Sequence, residues 1–317
     1  MWWNSSDGDT VLALKERTLT ELSLEGEASL LVDALPAVCR FTRLKDLNLS
    51  TDEYLPGKEV DLAELQSLLA LEHLTCCGRG RVKLRAGTVL PQLTRLLVGI
   101  EGGIELDAAL PCLQQLDISA PHVRLGGEHL QLPQLSKLSL EEVHQLTVDW
   151  PAMPQLAELS VIPDLNAEGE VTVTGLAALA SLTSLGLFDD GRTGWRMCHS
   201  LLQAAPPSVH HLRLGNLTET QQDSWAVTRL QQLRRLTCGS LDVIVSLGSL
   251  TQLQQLDFPC NSVRHLTLEH LDSLCRLTTL RRLEFGGAVL ERDHERRVEV
   301  VRKVLPAECT LVQVMRH

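Results

Sequence analysis

Aromatic residues are scarce, only 3% of 317 residues, so large rings are not what fills the interior of this protein. Long Gly- or Ser-rich tracts are missing as well, which excludes the composition of flexible or disordered segments. Long apolar runs are also lacking. The longest apolar-leaning stretch, Gly175 to Phe188, is short and interrupted by Ser181, Thr183 and Ser184, and Met1 to Thr10 carry no apolar h-region. Neither a membrane span nor a signal peptide is therefore expected. Positive charge is the minority sign, with 29 Lys and Arg against 40 Asp and Glu, a net charge of -11 and a pI near 5.5. That balance argues against nucleic acid as a partner, because affinity for phosphate backbones comes from clustered Lys and Arg. The nine cysteines are an odd number scattered from Cys39 to Cys309, without a C-x-x-C pair. They read as reduced thiols in an intracellular, cytoplasmic protein.

What the chain does have is leucine at a fixed rhythm. Twelve six-residue windows carry apolar side chains at the first, fourth and sixth places, from Leu19-Leu22-Leu24 to Leu280-Leu283-Phe285, and the fourth place is Leu in all twelve. First places are separated by 25, 27, 22, 20, 22, 21, 26, 27, 24, 20 and 27 residues. Spacing of this kind belongs to a repeat architecture that stacks one short unit on the next. The windows cover the chain without a linker-like break, so one continuous solenoid is expected.

Within a window the fourth and sixth residues share one face of an extended strand, since side chains alternate with period two. They point inward, as do Cys76 and Cys238 at sixth places, where a thiol acts as a small apolar group. The third, fifth and seventh residues point outward. In the middle of the chain a second alternation follows each window: Val82-Lys83-Leu84, Ile104-Glu105-Leu106, Val123-Arg124-Leu125 and Leu146-Thr147-Val148. These shorter repeats are expected to return through extended or turn structure, helped by Gly102, Gly103, Gly126 and Gly127. Longer repeats have room for helices, predicted over Asp61 to Leu71, Met197 to Ala205 and Thr220 to Leu233. Residues 1–18 are read as an N-terminal cap, with Val11 to Leu14 as a possible strand, and 19–288 as the repeats. Residues 289–317 are read as a C-terminal cap, a helix stopped by Pro306 and an edge strand over Thr310 to Val314.

The windows resemble the leucine-rich repeat superfamily, whose units read L-x-x-L-x-L-x-x-N/C. The resemblance covers about nine tenths of the chain, and all thirty-six core places are apolar. The lead-ins Leu90-Pro91-Gln92-Leu93, Leu110-Pro111-Cys112-Leu113, Leu132-Pro133-Gln134-Leu135 and Met153-Pro154-Gln155-Leu156 are similar to irregular plant and algal repeats. The resemblance implies an α/β fold, a right-handed horseshoe with a parallel concave sheet and a convex side mixing short strands, turns and helices. Extracellular members usually carry capping cysteine clusters, which this chain lacks. The ninth place, usually Asn, holds Asp52, Arg79, Glu101, Pro121, Val143, Asp164, Asp190, Leu217 and Leu241, and only Asn261 fits. The backbone groups of these turns are therefore expected to be satisfied individually. An F-box, a switch module or a kinase would need more than the eighteen residues before Leu19, so a free-standing repeat protein or a fragment of a longer one is expected.

No chemistry-bearing motif emerges. Gly78-Arg79-Gly80-Arg81-Val82-Lys83 lacks the ending of a phosphate loop and reads as a basic turn. His265 and His270 are five apart, not the four of a zincin helix, and His210 and His211 are adjacent. Glu291, Asp293, His294 and Glu295 form a helix start, where acids suit the dipole. No Gly-x-Ser-x-Gly elbow occurs. No cofactor, no metal and no catalysis are expected. The outward places carry the functional reading instead: Glu21 and Asp46 in an acidic end, Leu97, Ile162 and Phe188 in an apolar centre, and His211, Arg213, Arg235 and Arg282 in a basic end partly offset by Asp257 and Glu284. Apolar anchors with a charged rim are how protein interfaces are built. The expectation is a non-catalytic protein-protein interaction module holding a protein partner across the concave face. The alternative is the recognition fragment of a larger regulatory protein, an immune receptor or ubiquitin-ligase adaptor, and an enzyme is the least favoured reading.

Overall fold

In all twelve windows the fourth-place Leu becomes the second residue of a β-strand. The computed structural model describes residues 18–26, 34–51, 59–164, 171–172, 174–188, 195–215, 226–259, 266–286 and 294–313. The fold is α/β, dominated by parallel strands with few helices. Two compact units divide the chain, Met1–Ala157 with Ala167–Gly175, and Glu158–Asn166 with Leu176–His317.

The first unit contains two parallel sheets. One holds β1 (Glu21–Glu25), β2 (Asp46–Ser50), β4 (His73–Gly78), β6 (Arg95–Ile100), β8 (Gln115–Ser119) and β10 (Lys137–Val143). The other holds β3 (Glu59–Asp61), β5 (Arg81–Leu84), β7 (Gly103–Leu106), β9 (His122–Leu125), β11 (Gln145–Val148) and β13 (Val171–Thr172). Register follows the windows: Leu47 faces Leu74, Leu74 faces Leu96, and Leu96 faces Leu116. The second alternation thus forms a paired sheet of its own, with Val82, Ile104 and Val123 in one row and Leu84, Leu106 and Leu125 in the next. Both rows are buried, as are Leu74, Leu96, Leu116 and Leu138 of the first sheet. Burying each such Leu is worth about 1.5–3 kcal/mol relative to leaving it exposed. A cavity of about 40 Å³ remains near Leu49, Val60, Cys76 and Val82.

The second unit holds β12 (Glu158–Pro163), β14 (Ser184–Leu187), β15 (His211–Leu214), β16 (Arg235–Cys238), β17 (Gln255–Phe258), β18 (Arg282–Phe285) and β19 (Thr310–Gln313). Here too the leucines align, Leu159 with Leu185, Leu212, Leu236, Leu256 and Leu283. Phe258 and Phe285 stack at sixth places with centroids 5.5 Å apart. The expected closing strand is present, with Leu311 registered on Leu283. The helix His294–Val304 precedes it. Val11 to Leu14, Glu291 and Asp293 lie outside the described residues.

The predicted helices need one correction. Asp61 to Leu71 is not an α-helix but a 3-10 helix, Leu62–Ser67, whose N-terminus Asp61 caps by accepting from the Ala63 N–H at 3.0 Å. The spacing fits this: Leu62 and Leu65 in the helix and Leu68 at its C-cap are buried leucines three apart. A helix with three residues per turn aligns them on one side, whereas 3.6 per turn would rotate them away. The same spacing, Ile244, Leu247, Leu250, Leu253, accompanies the 3-10 helix Asp242–Ser249. Over Met197 to Ala205 an α-helix does form, Trp195–Ala204. Of Thr220 to Leu233, helix is described over 226–228 only.

Main-chain bonds join neighbouring windows just before each strand. At second places, Glu72 N donates to Lys45 O, Thr94 N to Glu72 O, Gln114 N to Thr94 O and Ser136 N to Gln114 O, at 2.8–3.0 Å. In the second unit His210 N donates to Thr183 O, Arg234 N to His210 O and Gln254 N to Arg234 O. Side chains assist at two of these bends, where Thr94 Oγ1 donates to Glu72 O and Ser136 Oγ to Gln114 O, both at 3.1 Å.

Candidate interaction face

Outward places line up across strands because the windows are in register, and charge can be followed row by row. In the first unit the outward charges are largely compensated. Asp46 is half-buried and meets His73 at 2.5 Å, Lys45 meets Glu72 at 2.6 Å, and Arg95 lies 3.5 Å from Asp117. Glu21 is exposed at the far end of this row. Leu97 sits between Thr75 and Asp117 in register and is half-buried, so it offers less apolar surface than its place suggested.

The outer face of the other sheet of this unit is similarly neutralised. Lys83 donates to Glu59 at 2.7 Å and lies 3.7 Å from Glu105, Arg85 reaches Glu59 and Asp61, and Arg124 meets Glu105 at 3.2 Å. The Lys83 hydrogen bond holds the Glu59 carboxyl below its ordinary range. A groove of about 340 Å³ crosses this face at Gly103, where the ladder lacks a side chain between Arg81 and His122. The glycines there have a packing cause: a Cβ on Gly102 would lie 2.5 Å from Gly80 O.

The second unit differs. Ile162 on β12 is exposed, and Phe188, the residue after β14, is half-buried. Gly186, at the fifth place of its window, leaves room for the Phe188 ring, whose Cε2 lies 2.9 Å from where a Gly186 Cβ would be. In register with Gly186 comes Arg213, and with Arg213 comes Thr237, so no carboxylate faces this guanidinium from either strand. His211 faces Arg235, which in turn faces Gln255. Among the described residues Arg213 and Arg234 have no ion-pair partner. Partial burial, then the Arg235, His210, Arg213 and Arg234 charges, hold the His211 pKa below its ordinary value. Arg235 reaches Asp257 only at 3.6 Å, and the Gln255 amide also donates to that carboxylate, at 2.9 Å.

Arg282 does not belong to this cation surplus. It donates to Glu284 at 2.5 Å, a bond that raises the Arg282 pKa further, so this end of the row is neutral. The surplus is narrower than expected, centred on Arg213, with Arg235 shared with Asp257. It also includes Arg234, which outward-place reasoning passed over because it occupies a second place. Its signal was the doublet Arg234-Arg235.

For other chemistry, no group of three or more His, Cys, Asp and Glu able to hold a metal occurs among the described residues. Burial pushes the Cys76 thiol up to about 12, leaving almost no thiolate to act as a nucleophile. No described helix is long and apolar enough to cross a membrane. No protein-family model and no curated protein matches the chain.

Proposed function

We propose that this protein is a leucine-rich repeat protein and a non-catalytic interaction module, binding a protein partner across the outward face of its window strands. The right-handed, concave course that the resemblance implies is part of this proposal. One observation carries the functional reading. In the second unit an apolar pair, Ile162 and Phe188, lies near Arg213, a cation without an ion-pair partner among the described residues. A soluble surface without a partner has no use for either feature together, whereas interfaces combine an apolar anchor with a charged rim. A cytoplasmic location belongs to the same reading, supported by the eight described cysteines, all free thiols.

Site-specific photo-crosslinking in extracts of the native cell tests it. A photo-reactive residue at Thr237, outward on β16, should capture a protein, and one at Thr147, outward on β11, should capture none. Capture at neither position, or equal capture at both, overturns the assignment to the window face.

A further inference from the structure

We propose that β14, β15 and β16 take an extended, carboxylate-rich segment of the partner that carries one apolar side chain. The apolar group packs against Phe188 and Ile162, and the carboxylates meet Arg213, Arg235 and His211. This rests on the protein-binding reading above and names the chemistry of the partner.

Three observations lead there. First, the chain is acidic overall, at -11, yet places Arg213 and Arg235 on two adjacent strands, with Asp257 reaching only the second of them. Like charges side by side in a sheet repel. Elsewhere carboxylates are supplied to relieve this: Lys83 lies between Glu59 and Glu105, and Arg282 beside Glu284. Arg213 instead has Gly186 and Thr237 as its cross-strand neighbours. A carboxylate supplied from outside completes the pattern, in the bidentate geometry that guanidinium favours.

Second, Gly186 removes the side chain that would otherwise stand between Phe188 and Arg213, so the ring lies on the sheet one strand from the guanidinium. An aromatic anchor and a charge are thereby brought within reach of one short segment. From β14 to β16 is two strand spacings, roughly 10 Å, which an extended peptide covers in about three residues. The segment therefore has one apolar residue and two carboxylates within about four positions.

Third, the cationic footprint is bounded. Glu158 lies on β12, Asp257 on β17 and Glu284 on β18. A polyphosphate backbone, with a charge at every nucleotide, would meet these carboxylates as soon as it extended past the cluster. A short acidic peptide segment fits the footprint, and a nucleic acid does not.

The test uses the full chain and a fluorescein-labelled peptide of about ten residues, a Gly-Ser background holding one Leu followed by three Glu. Anisotropy is read at low and near-physiological salt, beside a Glu→Gln peptide and a single-stranded RNA of equal charge. Wild type should bind the Glu peptide at least tenfold more tightly than the Gln peptide, with affinity falling as salt rises. R213E/R235E should lose that preference, R213Q/R235Q should lie between, and F188A should weaken binding about tenfold. R282E should stay close to wild type. Circular dichroism and melting of each variant show that it is folded. Equal binding of the Glu and Gln peptides, an unchanged R213E/R235E variant, or tighter binding of the RNA overturns the proposal.

Crosslinking from Thr237 separates this failure from that of the broader reading. A partner still captured in the R213E/R235E background keeps the protein-binding face and overturns the acidic-segment assignment. Peptide binding as expected, with nothing captured from extracts, upholds the site chemistry and removes the broader reading.

Discussion

The aromatic ring of Phe188 occupies the side-chain space of Gly186, two residues earlier on the same chain, with Ser160 Oγ 3.4 Å from the glycine's missing Cβ on the other side. The ring is half-buried. Phe188→Ala should therefore lower folding stability modestly, by about 1 kcal/mol, well below the 3–5 kcal/mol of a core Phe. Its effect on the acidic peptide probe should be larger, about 1.4 kcal/mol or tenfold. Urea unfolding and peptide titration on the same sample check both numbers.

Gly102 and Gly126 both stand near the other sheet of the first unit and should respond very unequally to alanine. At Gly102 a methyl would meet the Gly80 carbonyl oxygen at 2.5 Å and its carbon at 2.9 Å, backbone that cannot swing aside. At Gly126 the nearest atom is Asp149 Cβ at 3.6 Å, an ordinary contact. Gly102→Ala is expected to destabilise by about 2 kcal/mol or more, in the range of overpacked sites, and Gly126→Ala by less than about 0.5 kcal/mol. Chemical denaturation of the two variants in parallel gives the comparison.

Thr267 caps the helix Leu268–Arg276 in a reciprocal arrangement with His270. The Thr267 hydroxyl accepts from His270 N at 3.3 Å, and His270 Nδ1 accepts from Thr267 N at 3.0 Å. Thr267→Ala removes the acceptor and should cost about 1 kcal/mol, while Thr267→Ser should recover most of it. Thermal melting of the pair distinguishes loss of the cap from loss of the methyl group.

His211 should titrate below the ordinary histidine value of 6.5, because partial burial and then the surrounding cations disfavour its charged form. The folded state then binds fewer protons than the unfolded state just below pH 6.5, so His211 withdraws stability as pH falls and contributes no such penalty at pH 7.5. Arg235→Glu replaces repulsion by attraction and should move the titration upward. Imidazole ring NMR shifts followed against pH report the midpoint directly, and a midpoint that stays put in Arg235→Glu contradicts the account.

Much of the fold was readable because period two and period three leave separate marks. The fourth- and sixth-place leucines named the strands residue by residue. The second alternation announced extended structure, but that Val82, Ile104 and Val123 would pair into one row is a matter of equal spacing between repeats, visible only once they stack. The 3-10 helix at Leu62–Ser67 was readable in Leu62, Leu65, Leu68 and Leu71, had the spacing of three been weighed against 3.6. At the candidate face, period two correctly identified Ile162, His211, Arg213 and Arg235 as outward. What it could not give was who stands opposite whom. Arg213 is unpaired because its neighbours across two gaps of different length, 27 and 24 residues, happen to be Gly186 and Thr237. The charge of Arg282 is balanced because Glu284, two residues on, accepts from it.

The inward thiols have a use of another kind. Cys76 in the first unit and Cys198 and Cys238 in the second are buried, while Cys275 is exposed. A thiol pushed up to about 12, as at Cys76, reacts with an alkylating reagent only after its strand has come loose and met water. Native-state labelling should modify Cys275 first and the buried three far later, and mass spectrometry can time each one. The same atoms that pack the interior therefore act as clocks, one in the first unit and two in the second, recording how often each unit breathes.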